Sequence, residues 1–202
     1  MFHYLEGTVT IMAGNLAVVD IGGVGYACST TANTLSRLET GKKARLFTYC
    51  HIREDAFDIF GFYDISEKRC FELLLGVSGV GPKAALSILS SATPESLAIA
   101  IISDDETALT IAPGVGKKLA QRIILELKDK VSKETAEIRL PGAAQPGDVG
   151  LPGAKQRDAA AALAVLGYSQ GEISASLRSI DIEKLTVEEI IREVLKGSVK
   201  KI

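Results

Sequence analysis

The 202-residue chain has few of the side chains from which metal centres and nucleophilic triads are built. Its histidines are His3 and His51, and its three cysteines, Cys28, Cys50 and Cys70, stand apart in apolar surroundings without CxxC spacing. That leaves too little for a metal cluster. It also argues against a disulfide framework, so the cysteines read as small buried hydrophobes in a reducing compartment. Long apolar runs are missing too: LAIAII at 97–102 is among the longest, far short of the roughly 20 residues that cross a bilayer. The start, MFHYLEGTVTIM, has no basic n-region, apolar h-region or small-residue cleavage site, so the expected location is cytoplasmic. No membrane partner is expected.

Charge of one sign is lacking as well. The net charge is −2, and no segment carries an excess of positive charge. Residues 1–64 carry five Lys/Arg against seven Asp/Glu, residues 65–139 ten against ten, and residues 140–202 eight against eight. This excludes a partner held by bulk electrostatics. A polyanion can be bound only where positive charge is concentrated on one face.

What is present falls into three parts and a linker. Residues 1–64 alternate in the β manner, with candidate strands at 4–12, 15–21, 24–30, 44–52 and 56–63, turns at Gly14-Asn15 and Gly22-Gly23, and a short helix near 32–38. Five short strands and one small helix suit a barrel of the OB type. The last two strands flank HIREDAF, a tight reversal that puts Arg53, Glu54 and Asp55 at an exposed tip. From Ser66 the period becomes helical, and residues 65–139 read as a compact all-α domain. Thr93-Pro94 marks one helix start, and Ser103 with Glu106 has the spacing of a capping box for the next. LPGAAQPGDVGLPGAK, residues 140–155, holds three of the six prolines and four glycines, so it reads as a flexible linker. Residues 156–202 form three short amphipathic helices, with capping boxes Ser169…Glu172 and Thr186…Glu189. A unit this small resembles a ubiquitin-associated-type module, marginal by itself and suited to docking a partner.

The chemistry lies in an internal repeat. SGVGPKAALSIL (78–89) and PGVGKKLAQRII (113–124) are one phrase offset by 35 residues, the signature of a helix-hairpin-helix. Gly79 and Gly81 match Gly114 and Gly116, and Lys83 matches Lys118. The glycines let another backbone approach closely. Free N–H groups at the start of the next helix, at its positive dipole end, make an anion site. Lys83 and the group Lys117, Lys118 and Arg122 add charge. Such a site grips phosphate and cannot read a base.

Other readings of these residues fail on context. A single GxG between helices is usually only a tight connection, but here there are two, each with a matching lysine. Gly79-Val80-Gly81-Pro82-Lys83-Ala84 loosely matches a dinucleotide fingerprint, yet no strand precedes it. Gly116-Lys117 has Ile111 where a Walker A loop needs glycine, and Lys118 follows where Ser or Thr belongs. ATP hydrolysis and a bound cofactor are therefore not expected. Helix-hairpin-helix glycosylases carry an aspartate shortly after the hairpin. Asp129 is the nearest, but it sits in the charged run LKDKV and reads as a solvated face. His51 beside its hairpin reads as structural.

Taken together, GGVGYAC, HIREDAF ending in IFGFY, GVSGVGPKAALSILS, PGVGKKLAQRIILELKDK, the Pro/Gly linker and ALAVLGYS make the chain resemble the RuvA family over nearly its whole length. These are the Holliday junction-binding subunits of RuvAB branch-migration complexes in recombination and DNA repair. The resemblance implies a non-catalytic homotetramer that binds four-way junction DNA independently of sequence. Gly79, Gly81, Lys83, Gly114, Gly116, Lys117, Lys118 and Arg122 would contact phosphates. Glu54 and Asp55 would form an acidic pin. The module at 156–202 would contact the RuvB hexameric ATPase, around Leu166, Gly167 and Tyr168, and the RuvC junction endonuclease is a further implied partner. The start departs from the family pattern, since MFHYLEG has no Lys or Arg before Leu5, where the resemblance implies a basic residue.

Overall fold

The computed structural model describes residues 1–136 and 154–199. Of the expected linker, residues 140–153 lie outside the described residues. The N-terminal strands are β1 (Tyr4–Ala13), β2 (Leu16–Ile21), β3 (Val24–Ser29), β4 (Lys43–Ile52) and β5 (Phe57–Phe62), with helix α1 (Ala32–Leu35) between β3 and β4. They close into a barrel in the order β1-β2-β3-β5-β4. A short parallel pairing of β3 with β5 (Cys28↔Ile59, Ser29↔Phe60) makes the closure. The OB-type expectation from the alternating pattern therefore holds. Leu5, Val9, Ala17, Val19, Cys28, Leu46 and Ile59 fill the barrel. All three cysteines are free and buried, and burial pushes the Cys28 thiol up to about 12, so it is a packing residue rather than a nucleophile.

The helical part follows β5 directly. It comprises α2 (Ile65–Leu75), α3 (Pro82–Ser91), α4 (Pro94–Ile102), α5 (Glu106–Thr110) and α6 (Lys117–Ala136). Strand alternation joins it to the barrel. Ile59 points into the barrel, whereas Phe60 and Phe62 point outward onto Phe71 of α2, at ring-centroid distances of 5.0 and 4.9 Å. Tyr49 of β4 completes this aromatic seam, 5.5 Å from Phe71. Each such pair adds about 0.5–1.5 kcal/mol beyond its buried area.

A polar clip reinforces the seam. Glu67 of α2 is 3% exposed. Its carboxylate accepts hydrogen bonds from the Thr31 hydroxyl and, at 2.6 Å, from the Thr34 hydroxyl of α1. The Thr34 hydroxyl in turn accepts from the Tyr63 N–H at 2.9 Å. Asp64 caps α2 by accepting from Glu67 N–H at 2.9 Å and pairs with Arg37 at 2.6 Å.

Helix starts follow the expected chemistry with one exception. Thr93 caps α4 with Pro94 in the first turn. The Ser103…Glu106 box does not form. Ser103 ends α4, donating its hydroxyl to Ile99 C=O at 2.7 Å, and Asp104 turns the chain at φ 58°. Asp105 then caps α5, accepting from Thr107 and Ala108 N–H at 3.0 and 3.2 Å. The two extra residues of turn shift Glu106 into the first helical position, where it cannot reach back. It accepts instead from Gln121 of α6 at 2.9 Å.

The C-terminal module comprises α7 (Ala154–Val165), α8 (Gln170–Leu177), a single 3₁₀ turn (Ile182–Lys184) and α9 (Val187–Val199). Both expected capping boxes are present: Ser169 and Glu172, and Thr186 and Glu189, bond reciprocally. The module does not stand alone. Leu163, Leu166, Ile190, Ile191 and Val194 belong to one continuous apolar cluster with Leu97 and Ile101 of α4.

Desolvation raises the Glu67 carboxyl above its ordinary 4.5 against the lowering effect of the two threonine bonds. The folded state therefore holds this carboxyl proton more tightly than the unfolded chain does. This group's contribution to stability is full below pH 4.5 and is lost as pH rises through the folded value. Glu67→Gln should remove that part of the pH dependence in thermal melts, and Glu67→Ala should cost about 1–3 kcal/mol. Identical pH slopes for Glu67→Gln and the parent chain would contradict this.

Candidate nucleic-acid interface

The two hairpins are built alike from residue to residue. In the first, Val77 and Val80 are buried and Val80 N–H donates to Val77 C=O at 3.1 Å. In the second, Ala112 and Val115 are buried and Val115 N–H donates to Ala112 C=O at 3.0 Å. The apolar residue between each pair of glycines thus anchors the turn, as the motif requires. In the helices that follow, Ala85 N–H and Ala120 N–H donate to Gly81 and Gly116 C=O, each at 3.0 Å.

The four glycines divide into two kinds. Gly79 and Gly114 have φ of +87° and +85°, a region that costs other residues about 1–2 kcal/mol. Gly81 and Gly116 have no such backbone, and a Cβ built on either would meet nothing within 4 Å. The chain's own packing does not require glycine at 81 or 116. What the missing side chains leave is open approach to the start of α3 and of α6. No side chain caps α3, so its first N–H groups face that approach.

The cations surround these starts. Lys83, Lys117, Lys118 and Arg122 are all exposed. Lys117 lies 3.9 Å from Glu106 with most of its side chain in solvent. Arg122 behaves differently from the lysines: its guanidinium donates to Ser78 C=O of the first hairpin at 3.4 Å.

The acidic tip is formed as expected. Ile52 pairs with Phe57 as the last rung of β4 and β5, and Arg53 N–H donates to Ala56 C=O at 2.8 Å. Glu54 and Asp55 are exposed, and neither has a cation partner among the described residues. Arg53 turns toward Asp58 instead, at 3.5 Å. His51 stacks on Tyr49 at 6.4 Å, a packing role.

Leu166, Gly167 and Tyr168 do not form an exposed patch. Leu166 and Tyr168 are 1% and 5% exposed. The cause is helix termination: Gly167, at φ +79°, ends α7 with Gly167 N–H bonded to Ala164 C=O at 2.9 Å and Tyr168 N–H to Leu163 C=O at 3.1 Å. That turn folds Leu166 and Tyr168 inward, and Arg69 of α2 lies 4.7 Å from the centre of the Tyr168 ring. No group of three His, Cys, Asp or Glu among the described residues could hold a metal ion. Asp129 lies on α6, and its side chain is outside the described residues.

A closed OB-type barrel joined to paired helix-hairpin-helix units defines a multidomain protein of the nucleic-acid-binding class. Comparisons narrow this further. Family models match for the RuvA N terminal domain over residues 1–61, the SAM-like helix-hairpin-helix tandem over 71–129, and the RuvA C-terminal domain over 154–199. A protein of Acetivibrio thermocellus named Holliday junction branch migration complex subunit RuvA is 42% identical, covering 98% of each chain. Its namesake in Ruminiclostridium cellulolyticum is 39% identical, covering 98% of this chain and all of the relative. The chain belongs to the RuvA family.

Gly79→Ala and Gly114→Ala should each lower stability by about 1–2 kcal/mol. Gly81→Ala and Gly116→Ala should cost less than about 1 kcal/mol. Urea unfolding of the four variants checks the distinction, and equal losses across both pairs would overturn it.

Proposed function

We propose that this chain binds four-way (Holliday) junction DNA without reading its sequence and brings the RuvB ATPase motor to it for branch migration in recombination and repair. The observation that carries this is the pair of matched hairpins. Each ends in a glycine that packing does not require, and each is followed by a helix start bearing exposed lysines. Backbone N–H groups and lysines grip phosphate oxygens and leave base edges unread. Two such sites side by side fit neighbouring phosphates of one duplex. Gly79, Gly81, Lys83, Gly114, Gly116, Lys117 and Lys118 make the contacts, and Arg122 stands at the same surface.

In this reading the chain performs no catalysis and acts in the cytoplasm as a fourfold homotetramer. Residues 1–64 carry the pin, 65–139 the DNA contacts, 140–155 the linker, and 156–202 the motor-docking module. Since Leu166 and Tyr168 are buried, motor contact falls on the exposed surface of that module around the Gly167 turn. RuvC engages the same DNA complex. The tetramer gives the pin its meaning: four copies of Glu54 and Asp55 gather eight carboxylates at the centre of a positively lined face. Duplex DNA carries about one negative charge per 1.7 Å of axis. The pins therefore repel the crossing strands while the hairpins hold the arms, which keeps the junction open and disfavours continuous duplex.

Lys83→Ala combined with Lys118→Ala should weaken junction binding and make its dependence on salt shallower by about two in the log–log slope. Glu54→Gln with Asp55→Asn should tighten binding to linear duplex and reduce junction selectivity. Fluorescence anisotropy with a synthetic junction and a duplex of the same sequence measures both. Equal affinity of the parent chain for the two DNAs at matched salt would refute the reading, and unchanged selectivity in the pin variant would refute the role of the pin.

A further inference from the structure

The offset of 35 residues that relates the hairpins also relates the bonds between them. Ser87 of α3 donates its hydroxyl to Pro113 C=O of the second hairpin at 2.8 Å. Arg122 of α6 donates to Ser78 C=O of the first hairpin at 3.4 Å. Ser87 and Arg122 are equivalent positions of the repeat, and so are Ser78 and Pro113. Each hairpin is therefore held by the helix that follows the other one, at the residue just before its first glycine. The packing agrees: a Cβ on Gly79 would lie 3.7 Å from both the Arg122 guanidinium and Leu119 of α6.

The exchange has one asymmetric element, and its cause is visible. Ser78 has a backbone N–H and Pro113 has none. Glu126, one helical turn after Arg122, accepts from Ser78 N–H at 3.2 Å. Its equivalent is Ser91, which has no such donor to meet and bonds instead to Ser87 C=O within its own helix at 3.1 Å. A carboxylate stands only where the hairpin offers an amide.

We propose that Glu126 and Ser87 are positioning residues for DNA binding: with Arg122 they fix the separation and orientation of the two phosphate-binding hairpins, so that both engage one duplex at once. This rests on the reading of both hairpins as phosphate sites. Glu126 carries the wrong charge for a DNA-facing surface, so any direct effect on a polyanion is repulsion. Its removal should then tighten binding if Glu126 is merely a surface acid, and weaken binding if it holds the first hairpin in place. The two roles give opposite signs.

The test uses the full chain and a synthetic four-way junction. Glu126→Ala should weaken binding roughly three- to tenfold and make the salt slope shallower by about one, because one hairpin no longer seats in register with the other. Glu126→Gln, which keeps an acceptor without the charge, should restore affinity to within about twofold of the parent. Ser87→Ala provides an independent variant with no change of charge and should weaken binding in the same direction. Circular dichroism melts establish that each variant is folded. Glu126→Ala binding as tightly as the parent, or more tightly, with an unchanged salt slope overturns the proposal. If the Lys83→Ala, Lys118→Ala pair also leaves binding unchanged, the phosphate reading itself fails. If that pair weakens binding and Glu126→Ala and Ser87→Ala do not, only the positioning role fails.

Discussion

The structure depends on the joint between barrel and helices, where the buried Glu67 carboxylate receives the Thr31 and Thr34 hydroxyls beside the Tyr49, Phe60, Phe62 and Phe71 rings. A charge-bearing group this deep is tolerable only because hydrogen bonds meet both of its oxygens. The same geometry forbids rotation: turning α2 against the barrel would strand the carboxylate and pull the aromatic rings out of contact. The acidic tip is carried by β4 and β5, and the first hairpin follows α2. One rigid seam thus ties the acidic tip to the two glycine hairpins.

From that joint the helical core propagates order outward. Val77, Val80, Ala112 and Val115 anchor both hairpins into one cluster with α4, and α7 and α9 extend the same cluster. A three-helix module has too little core of its own to be stable by a wide margin, and packing on α4 removes that deficit. Arg69 contributes from α2, over the Tyr168 ring and 3.9 Å from Glu172. The module is therefore tied to α2 and α4 by side chains that a tethered, independent unit would have kept for its own surface.

Most of the fold was legible because its signals are local. Strand alternation located all five strands, and the change of period near residue 65 located the helices. The doubled GVG phrase identified both hairpins before any contact was known. The failures are equally specific. Ser103 and Glu106 have the spacing of a capping box, but whether Ser103 begins a helix or ends one is settled by the turn at Asp104. Leu166 and Tyr168 look like an apolar offering to a partner until Gly167 reverses the chain and buries them. Ser87 and Glu126 carry no motif: a serine aligned with an arginine, and an acid on a surface expected to be basic, give no sequence signal.

Local sequence fixes what covalent geometry and nearest neighbours control: the strands, most helix starts, and the positions where a positive φ calls for glycine. Even the motive for glycine at 81 and 116 could be guessed there, though only the open space around them removes the alternative of tight packing. Tertiary structure decided everything that joins residues far apart in the chain. It buried Glu67 against α1, crossed Ser87 and Arg122 between the hairpins, and closed Glu126 on an amide 48 residues away. The physical reason is that a side chain's burial and its partner belong to the assembled surfaces, and no local pattern encodes which surfaces will meet.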